Sequence, residues 1–362
     1  MVTGSARSIH LVIKYIGSKR TLVPRIVELV SALPAVTTVC DLFTGTTRVA
    51  QGLKRSGHQV VANDMASYAE VFARCYIETD AREVDLSRVR QQLDHLMALP
   101  DVDGYVTEMF GRQSRFLQPH NGRRIDAMRP EIDRIAADPL EHAILLTSLI
   151  EAADRVDSTT GVQMAYLKQW AARSNKPLEL RVPELIPGAG SRASRADANA
   201  IAPTLGPLDL VYLDPPYNQH SYHANYHVWE TIARGDAPEA YGIARKRVDC
   251  QSTKSDYNSK RRAWDAFSDL IHTLDARYLI VSFNDEGYLP PADIRDLLAA
   301  RGDVGSIPID FKRYVGAQIG IHSPAGVKVG TVGKRRNTEH LFLVGDGATA
   351  IVDEHIARTV PA

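Results

Sequence analysis

The sequence predicts an α/β protein with a mainly parallel sheet, interrupted by a long helical insertion. Three observations carry that prediction. Two strand–turn–helix units follow one another at 36–56 and 59–78, the pattern of consecutive parallel βα units. A short apolar run at 208–213, reading LDLVYL, is bounded by turn-forming residues, as a strand buried on both faces should be. Between them, residues 81–200 hold recurring helical patterns and no buried-strand signal.

At 362 residues, with 44% hydrophobic and 24% charged side chains, the chain has globular composition and is long enough for one large α/β domain with an insertion, or for two domains. Lys and Arg number 43, as do Asp and Glu, so a net charge of zero argues neither for nor against a polyanionic partner. The distribution is uneven. Residues 241–262 carry seven basic residues against two acidic, 112–129 five against one, and 328–336 four against none. Taken singly, each is a solvated surface; together they can rim one nucleic-acid cleft. Cys40, Cys75 and Cys250 show no short paired spacing, so no metal site and no disulfide framework is expected, and a reducing, cytoplasmic setting is. No run approaches the ~18 apolar residues of a membrane span, so no membrane partner is expected.

Taken in order, KYIGSKR at 14–20 precedes a helical pattern at Leu22, Ile26, Val27, Leu29 and Val30. Gly17-Ser18 allows a tight turn. Lys19 then stands in the first helical turn, where the helix dipole opposes a cation, so it is expected to face a carboxylate or phosphate. A strand over 36–43, the small-residue turn Thr44-Gly45-Thr46-Thr47 and a helix over 48–56 follow. That arrangement brings backbone N–H groups and a helix N-terminus to an anionic group. The strand at 59–62 runs into Asn63-Asp64 and a helix over 66–78. Asp64 lies 19 residues beyond Gly45, an interval at which an acid accepts hydrogen bonds from a ribose diol; it also fits an N-cap for the next helix. The spacing indicates a nucleoside-containing cofactor, and the lack of GxGxxG weakens NAD or FAD.

Within the insertion, helices are expected over 84–99, 130–137, 140–156 and 162–172, interrupted by an Arg-rich segment at 111–129; residues 186–206 read as a linker. The arginines, with Gln118 and Asn121, are of the types that read base edges, so target reading is placed here, although a solvated loop fits the same residues nearly as well.

Asp214-Pro215-Pro216-Tyr217 follows the strand at 208–213. Each proline fixes its own φ and pushes the residue before it out of the helical region. The result is a stiff bend at a carboxyl strand end, where ligands bind in open α/β sheets. Asp214 and the Pro215 carbonyl can each accept one hydrogen of an exocyclic amino group, and Tyr217 can stack on its base. Residues 218–229 are dense in Tyr, His and Asn, which suits an unstacked base. His220, His223 and His227 are candidate general bases, although an amine acting as a nucleophile can release its proton after the group is transferred. A helix over 262–276 and a strand over 278–283, ending in Asn284-Asp285-Glu286-Gly287, come next. Segments 307–315 and 339–344, joined by Gly-rich basic residues, form a closing antiparallel pair. The tail from Gly345 shows no pattern.

KYIGSK at 14–19, DLFTGTT at 41–47, Asp64, DPPY at 214–217 and SFNDEG at 282–287 stand in an order that resembles the D12-class (alpha-group, Dam-like) adenine-specific DNA methyltransferases, over residues 11–78 and 205–344. The resemblance implies a Rossmann-like S-adenosylmethionine-dependent methyltransferase sheet with a reversed terminal hairpin. It implies a catalytic domain from 1–80 and 201–362, and a helical insertion at 81–200 that recognises the target. Tyr15, Lys19, Asp41, Phe43, Gly45, Asp64 and Asp214 would bind S-adenosylmethionine: Lys19 near its carboxylate, Asp41, Phe43 and Gly45 around the methionine, Asp64 on the ribose. Asp214, Pro215 and Tyr217 would be catalytic, acting on N6 of a flipped-out adenine in double-stranded DNA. A monomer with a cognate restriction endonuclease as partner is further implied. Two positions depart from the family pattern: Thr47 replaces its second turn glycine, and Leu42 its usual proline. Methylation of cytosine N4 or of RNA stays a rival, as does a catalytically silent DNA-binding module. Intact Asp214 and Tyr217 argue against the last.

Overall fold

The computed structural model describes residues 13, 15, 19–312, 321–322, 328–330 and 336–359. Seven strands form one sheet: β1 (Thr38–Asp41), β2 (Gln59–Asp64), β3 (Arg192–Arg195), β4 (Leu208–Leu213), β5 (Ala276–Asn284), β6 (Val304–Lys312) and β7 (Arg336–Val344), in the order β3-β2-β1-β4-β5-β7-β6. Strands β1 to β5 run parallel, while β7 is antiparallel to both β5 and β6. This is the Rossmann-like sheet with a reversed terminal strand. Because β1 pairs with β2 on one side and β4 on the other, the chain order reverses there, and the carboxyl ends of β1 and β4 open a crevice. At the opposite end Asp209 ties the two strands together, accepting from the N–H groups of Thr37 (2.8 Å) and Thr38 (2.9 Å).

Alternation along the strands divides the core in two. Val39, Leu210, Tyr212, Ile280, Leu341 and Leu343 face one layer, and Cys40, Val211, Leu213, Val281, Phe342 and Val344 the other. The first layer holds α1 (Val23–Ala32), α2 (Arg48–Arg55), α3 (Ser67–Ala73), α4 (Leu86–Ala98), α5 (Pro119–Ile135), α6 (Pro139–Arg155) and α7 (His227–Arg234); the second holds α8 (Ala263–Thr273) and α9 (Pro291–Ala299). Helix α6 is apolar around most of its circumference and is the central helix of its layer, as such a pattern requires. Helix α3 continues as a π-helical turn, Arg74–Glu78, closed by the buried Lys54 ammonium, which donates to the carbonyls of Ile77 (2.7 Å) and Thr79 (2.6 Å).

Four readings are corrected. The helix expected to begin at Pro130 begins at Pro119 and runs through Pro130, so much of the Arg-rich segment is helical; Pro119, pre-set for the first helical position, starts it. Residues 162–172 form no α-helix; only a 3-10 turn, Ala172–Asn175, begins at their end. There the Gln163 N–H donates to the Asn225 carbonyl (2.7 Å), and its side-chain oxygen accepts from Val228 N–H (2.8 Å), fastening the segment to the start of α7. The 186–206 linker contains β3, an edge strand of sequence RASR with neither face buried, which is why it carries no apolar signal. The tail forms α10 (Ala348–Thr359), which packs Ala348 and Val352 into the first layer. Gly17-Ser18 and most of the joining segment 316–337 lie outside the described residues. Among the described residues no helix is long and apolar enough to cross a membrane.

Candidate active site

The crevice between β1 and β4 is a cavity of about 1040 Å³, open mouth included. Tyr15, Lys19, Asp41, Phe43, Gly45, Asp64 and Asp214 all line it, with Pro216, Tyr222, His223, Thr253, Ser255 and Asn258 among the other wall residues. Pro215 is buried, and neither it nor Tyr217 belongs to the lining. The Tyr217 ring is tilted against Phe283, centroids 6.3 Å apart, and its carbonyl accepts from Tyr288 N–H at 2.9 Å.

Strand β1 delivers Asp41, which is 2% exposed. Its Oδ2 accepts from Thr44 Oγ1 (2.9 Å) and Ala50 N–H (3.1 Å), drawing the turn against the start of α2, while Oδ1 is buried without a hydrogen-bond partner. Burial pushes the Asp41 carboxyl up to about 7 against the lowering effect of those two bonds. Gly45 is left-handed (φ 51°), and a Cβ there would lie 3.1 Å from the Tyr15 hydroxyl. Thr47 adopts the same region, φ 60°, despite its branched Cβ, at a cost of about 1–2 kcal/mol. Its buried hydroxyl donates to the Thr46 carbonyl (2.7 Å) and accepts from Gln51 Nε2 (2.9 Å), which hold the strained residue. The departure at Thr47 therefore keeps a glycine-like turn. Asp64 accepts from the N–H groups of Gly45 (2.9 Å) and Ala66 (3.0 Å), so it caps the turn into α3 while facing the cavity. Burial raises its pKa. The Gly45 N–H is thus engaged by Asp64.

Lys19 faces carboxylates, as expected, but they are the protein's own. Its ammonium lies 3.0 Å from Asp214 Oδ1 and donates to Glu339 Oε1. Glu339 comes from β7, opposite Asn284 in register, and is 4% exposed. It also accepts from Ser282 Oγ and from Asn284 Nδ2 (3.3 Å), so the strand end at 282–284 serves to seat Glu339. One ammonium between two carboxylates leaves a negative charge over. Burial first, with Glu339 adding to it, holds Asp214 up at about 6 despite Lys19. Burial pushes Glu339 upward too, but Lys19, Ser282 and Asn284 more than offset it, and its pKa falls. For Lys19, burial works downward, and the two carboxylates lift it well above the ordinary lysine value. Glu339 was not among the residues picked from the sequence, although an acid opening the apolar run EHLFLV is the mark of a charge that must be paired when buried.

The aromatic residues of 218–229 mostly build the wall behind the cavity. Tyr15 stacks on Tyr226 at 4.5 Å and on Tyr222 at 5.3 Å, and Tyr226 stacks on Trp229 at 4.5 Å. His227 is buried, with Nε2 2.9 Å from the Gln163 carbonyl, and burial drives its pKa down to about 3. It is a neutral packing residue, which removes it as a general base. His220 is exposed and does not line the cavity; His223 does, with Nε2 3.1 Å from Asp249 Oδ1. His223, Asp249 and Cys250 bring donor atoms within 4.8 Å of one another, but Asp249 already pairs with Arg247 (2.9 Å) and Arg234 (2.8 Å), which makes this a salt-bridge network.

The arginines of 111–129 are engaged internally. Arg112 pairs with Asp103 (2.7 Å) and Arg123 with Asp101 (3.3 Å), while Arg115 donates to the Lys168 carbonyl. Arg124 donates to the carbonyls of Leu96 (3.1 Å) and Met97 (2.9 Å) at the end of α4. Arg129 does the same for Ile232 (2.6 Å) and Ala233 (3.1 Å) at the end of α7. Guanidinium groups at helix C-termini satisfy orphan carbonyls and the helix dipole. Asn121 is buried and donates to the Lys176 carbonyl (3.0 Å), and Gln118 donates to Asn175 (3.0 Å).

Residues 15–294 match the D12 class N6 adenine-specific DNA methyltransferase family. The chain is 32% identical over 320 residues to the modification methylase StsI of Streptococcus sanguinis, covering 83% of this chain and 48% of that protein. It is 32% identical over 285 residues to the type II methyltransferase M.NlaIII of Neisseria lactamica, covering 76% and 83%. To the type II methyltransferase M.FokI of Planomicrobium okeanokoites it is 30% identical over 321 residues, covering 83% and 48%. The chain thus spans about half the length of two of these relatives.

Proposed function

Because the chain belongs to the D12 class N6 adenine-specific DNA methyltransferase family, we propose that it transfers a methyl group from S-adenosylmethionine to N6 of an adenine flipped out of double-stranded DNA. One observation supports this above the rest: the turn after β1, the acid ending β2, Lys19 and the carboxylate of the DPPY bend share a single cavity at the switch point of the sheet.

The residues present fit the cofactor. The buried, unpartnered Oδ1 of Asp41 suits a cationic amino group, and Gly45 leaves open the space beside Tyr15 that a side chain would take. Bound there, S-adenosylmethionine supplies an electrophilic methyl group on a sulfonium sulfur. Asp41, Phe43 and Gly45 would cradle its methionine portion, Tyr15 would line the wall beside it, and Asp64 would hold the ribose hydroxyls. Lys19 has a third N–H left for the cofactor carboxylate.

Asp214 and the Pro215 carbonyl would each accept one hydrogen of the adenine amino group, holding its lone pair on nitrogen. The Asp214 carboxylate then lies against the positive charge that develops there, an electrostatic contribution fixed in advance by Lys19. Stacking of the base is assigned to Tyr217, next in the chain after the cavity-lining Pro216. Flipping the adenine costs a few kcal/mol, offset by these contacts. Target recognition is assigned to the segment 81–200, through surfaces other than the internally paired arginines. Modification of a specific sequence beside a cognate restriction endonuclease follows the relatives, which are named as type II and modification methylases.

Incubation of the purified protein with labelled S-adenosylmethionine and plasmid DNA, followed by modified-base sequencing, tests the reading. The expected product is N6-methyladenine at one short sequence. Label confined to cytosine or to RNA, or no transfer to any nucleic acid, overturns it.

A further inference from the structure

We propose that Tyr222 is a base-binding residue, its ring lying against the flipped adenine inside the cavity on the side of Asp214; this rests on the methyltransferase reading above. An adenine whose amino group reaches Asp214 brings two apolar faces out of its own stack, and aromatic rings are what such faces bind. The Tyr217 ring leans on Phe283 and is not part of the cavity lining. The rings that are part of it belong to Phe43, Tyr212, Tyr15 and Tyr222.

The first three are committed elsewhere. Phe43 stands in the turn after β1 and meets Tyr257 edge-on, centroids 5.3 Å apart. Tyr212, within β4, is 1% exposed. Tyr15 neighbours the acid that ends β2: burial above all raises its pKa, and Tyr68, Tyr222 and Asp64 add to the rise. Burial leads for Tyr222 too, but the groups that follow are Tyr217 and Asp214, which raise its pKa, and Lys19, which lowers it. The two phenols thus stand side by side, Tyr15 toward Asp64 and Tyr222 toward Asp214.

Tyr222 is also held in place. It opens a single helical turn, Tyr222–Asn225, which Ser221 caps by accepting from Ala224 N–H (3.4 Å). Its half-buried ring stacks on Tyr15 (5.3 Å, 17° between planes) and lies parallel to that of Tyr226 (6.4 Å, 14°). The loop between Tyr217 and Tyr222 is fastened by Asn258, whose Nδ2 donates to the carbonyls of Asn218 (2.8 Å) and His220 (3.3 Å). The ring therefore has its position before DNA arrives, and little side-chain entropy is left to lose on binding. A flat π-face fixed beside the amine-accepting carboxylate suits a purine, since stacking asks only for another planar face.

The test uses the full chain and duplexes carrying the methylated sequence found by the plasmid experiment. Tyr222→Phe keeps the ring and should lose less than about threefold in kcat/KM for DNA, whereas Tyr222→Leu removes it and should lose roughly tenfold or more, the scale of one base–aromatic stack. The S-adenosylmethionine dissociation constant, read by titration calorimetry, should be unchanged in both. Equal losses in the two variants, no loss in Tyr222→Leu, or a loss matched by weaker cofactor binding each overturn the inference; the last would put the ring against the cationic sulfonium instead. A second measurement needs no variant. With iodouracil in place of the target adenine, irradiation of the complex cross-links the base to the ring it meets, and peptide mass spectrometry should find the cross-link on Tyr222, with or without Tyr217. A cross-link on Tyr217 alone overturns the inference and leaves the methyltransferase reading intact. Failure of the unaltered protein to methylate any DNA overturns that reading first.

Discussion

Replacing Glu339 with Gln removes one of the two carboxylates that share Lys19 while keeping the side chain's size. Both acids touch the same ammonium nitrogen, so two contacts of about 3 Å place their oxygens within about 6 Å of each other. At an effective dielectric constant near 20, unit charges at about 6 Å interact by about 3 kcal/mol, on the order of two pKa units. The Glu339→Gln change deletes that repulsion and leaves Lys19 to Asp214 alone. The Asp214 pKa, held at about 6 chiefly by burial, should then fall by about one to two units. The sign follows from the role proposed for Asp214. Only the ionised carboxylate carries the charge that stabilises the developing ammonium, so kcat/KM for DNA is lost as pH drops through its pKa. The unaltered protein should lose activity below about pH 6, and Glu339→Gln only below about pH 4–5. The assay is methyl transfer to plasmid DNA at limiting DNA concentration across this range, since kcat/KM reports groups in the free enzyme. A lower plateau with the acid limb still near pH 6 would mean that Glu339 matters only for packing. A limb shifted upward would refute the charge-sharing argument itself.

Asp214→Ala should abolish transfer by at least about a thousandfold, since it removes the main charge facing the developing ammonium, while the circular dichroism spectrum is kept; near-normal turnover would remove Asp214 from the mechanism. Asp64→Ala should raise the S-adenosylmethionine dissociation constant about 10- to 100-fold, as expected for lost bonds to a charged group, with a smaller effect on kcat at saturating cofactor. Titration calorimetry showing unchanged affinity would contradict the ribose assignment. Arg129→Ala leaves the carbonyls of Ile232 and Ala233 without their donor and should cost about 1–3 kcal/mol of stability, with the same DNA sequence modified. Altered sequence choice at unchanged stability would make Arg129 a base-reading residue instead.

Much of the fold was legible because its signals are local. The βα units at 36–56 and 59–78, the apolar strand before DPPY and helix α6 each announce themselves within a window of a dozen residues, through period and turn chemistry. The misreadings fell where local pattern and final environment part company. Strand β3 has no apolar face to betray it, because it covers a sheet edge. The arginines of 111–129 have the residue types of a DNA reader, yet Arg124 and Arg129 serve as caps for helices α4 and α7. Residue type does not distinguish a guanidinium that meets a base from one that meets a helix end.

The sequence by itself determined which groups the chain can bring to a site: a carboxylate fixed by two prolines, an acid 19 residues beyond a glycine turn, and a lysine placed where a helix start disfavours it. Each is a property of a few neighbouring residues. Tertiary structure alone decided what Lys19 faces, because its partner Glu339 lies 320 residues away and on the reversed strand. Burial of both side chains forces that pairing. Burial depends on how the sheet closes, and no short stretch of the chain encodes that closure.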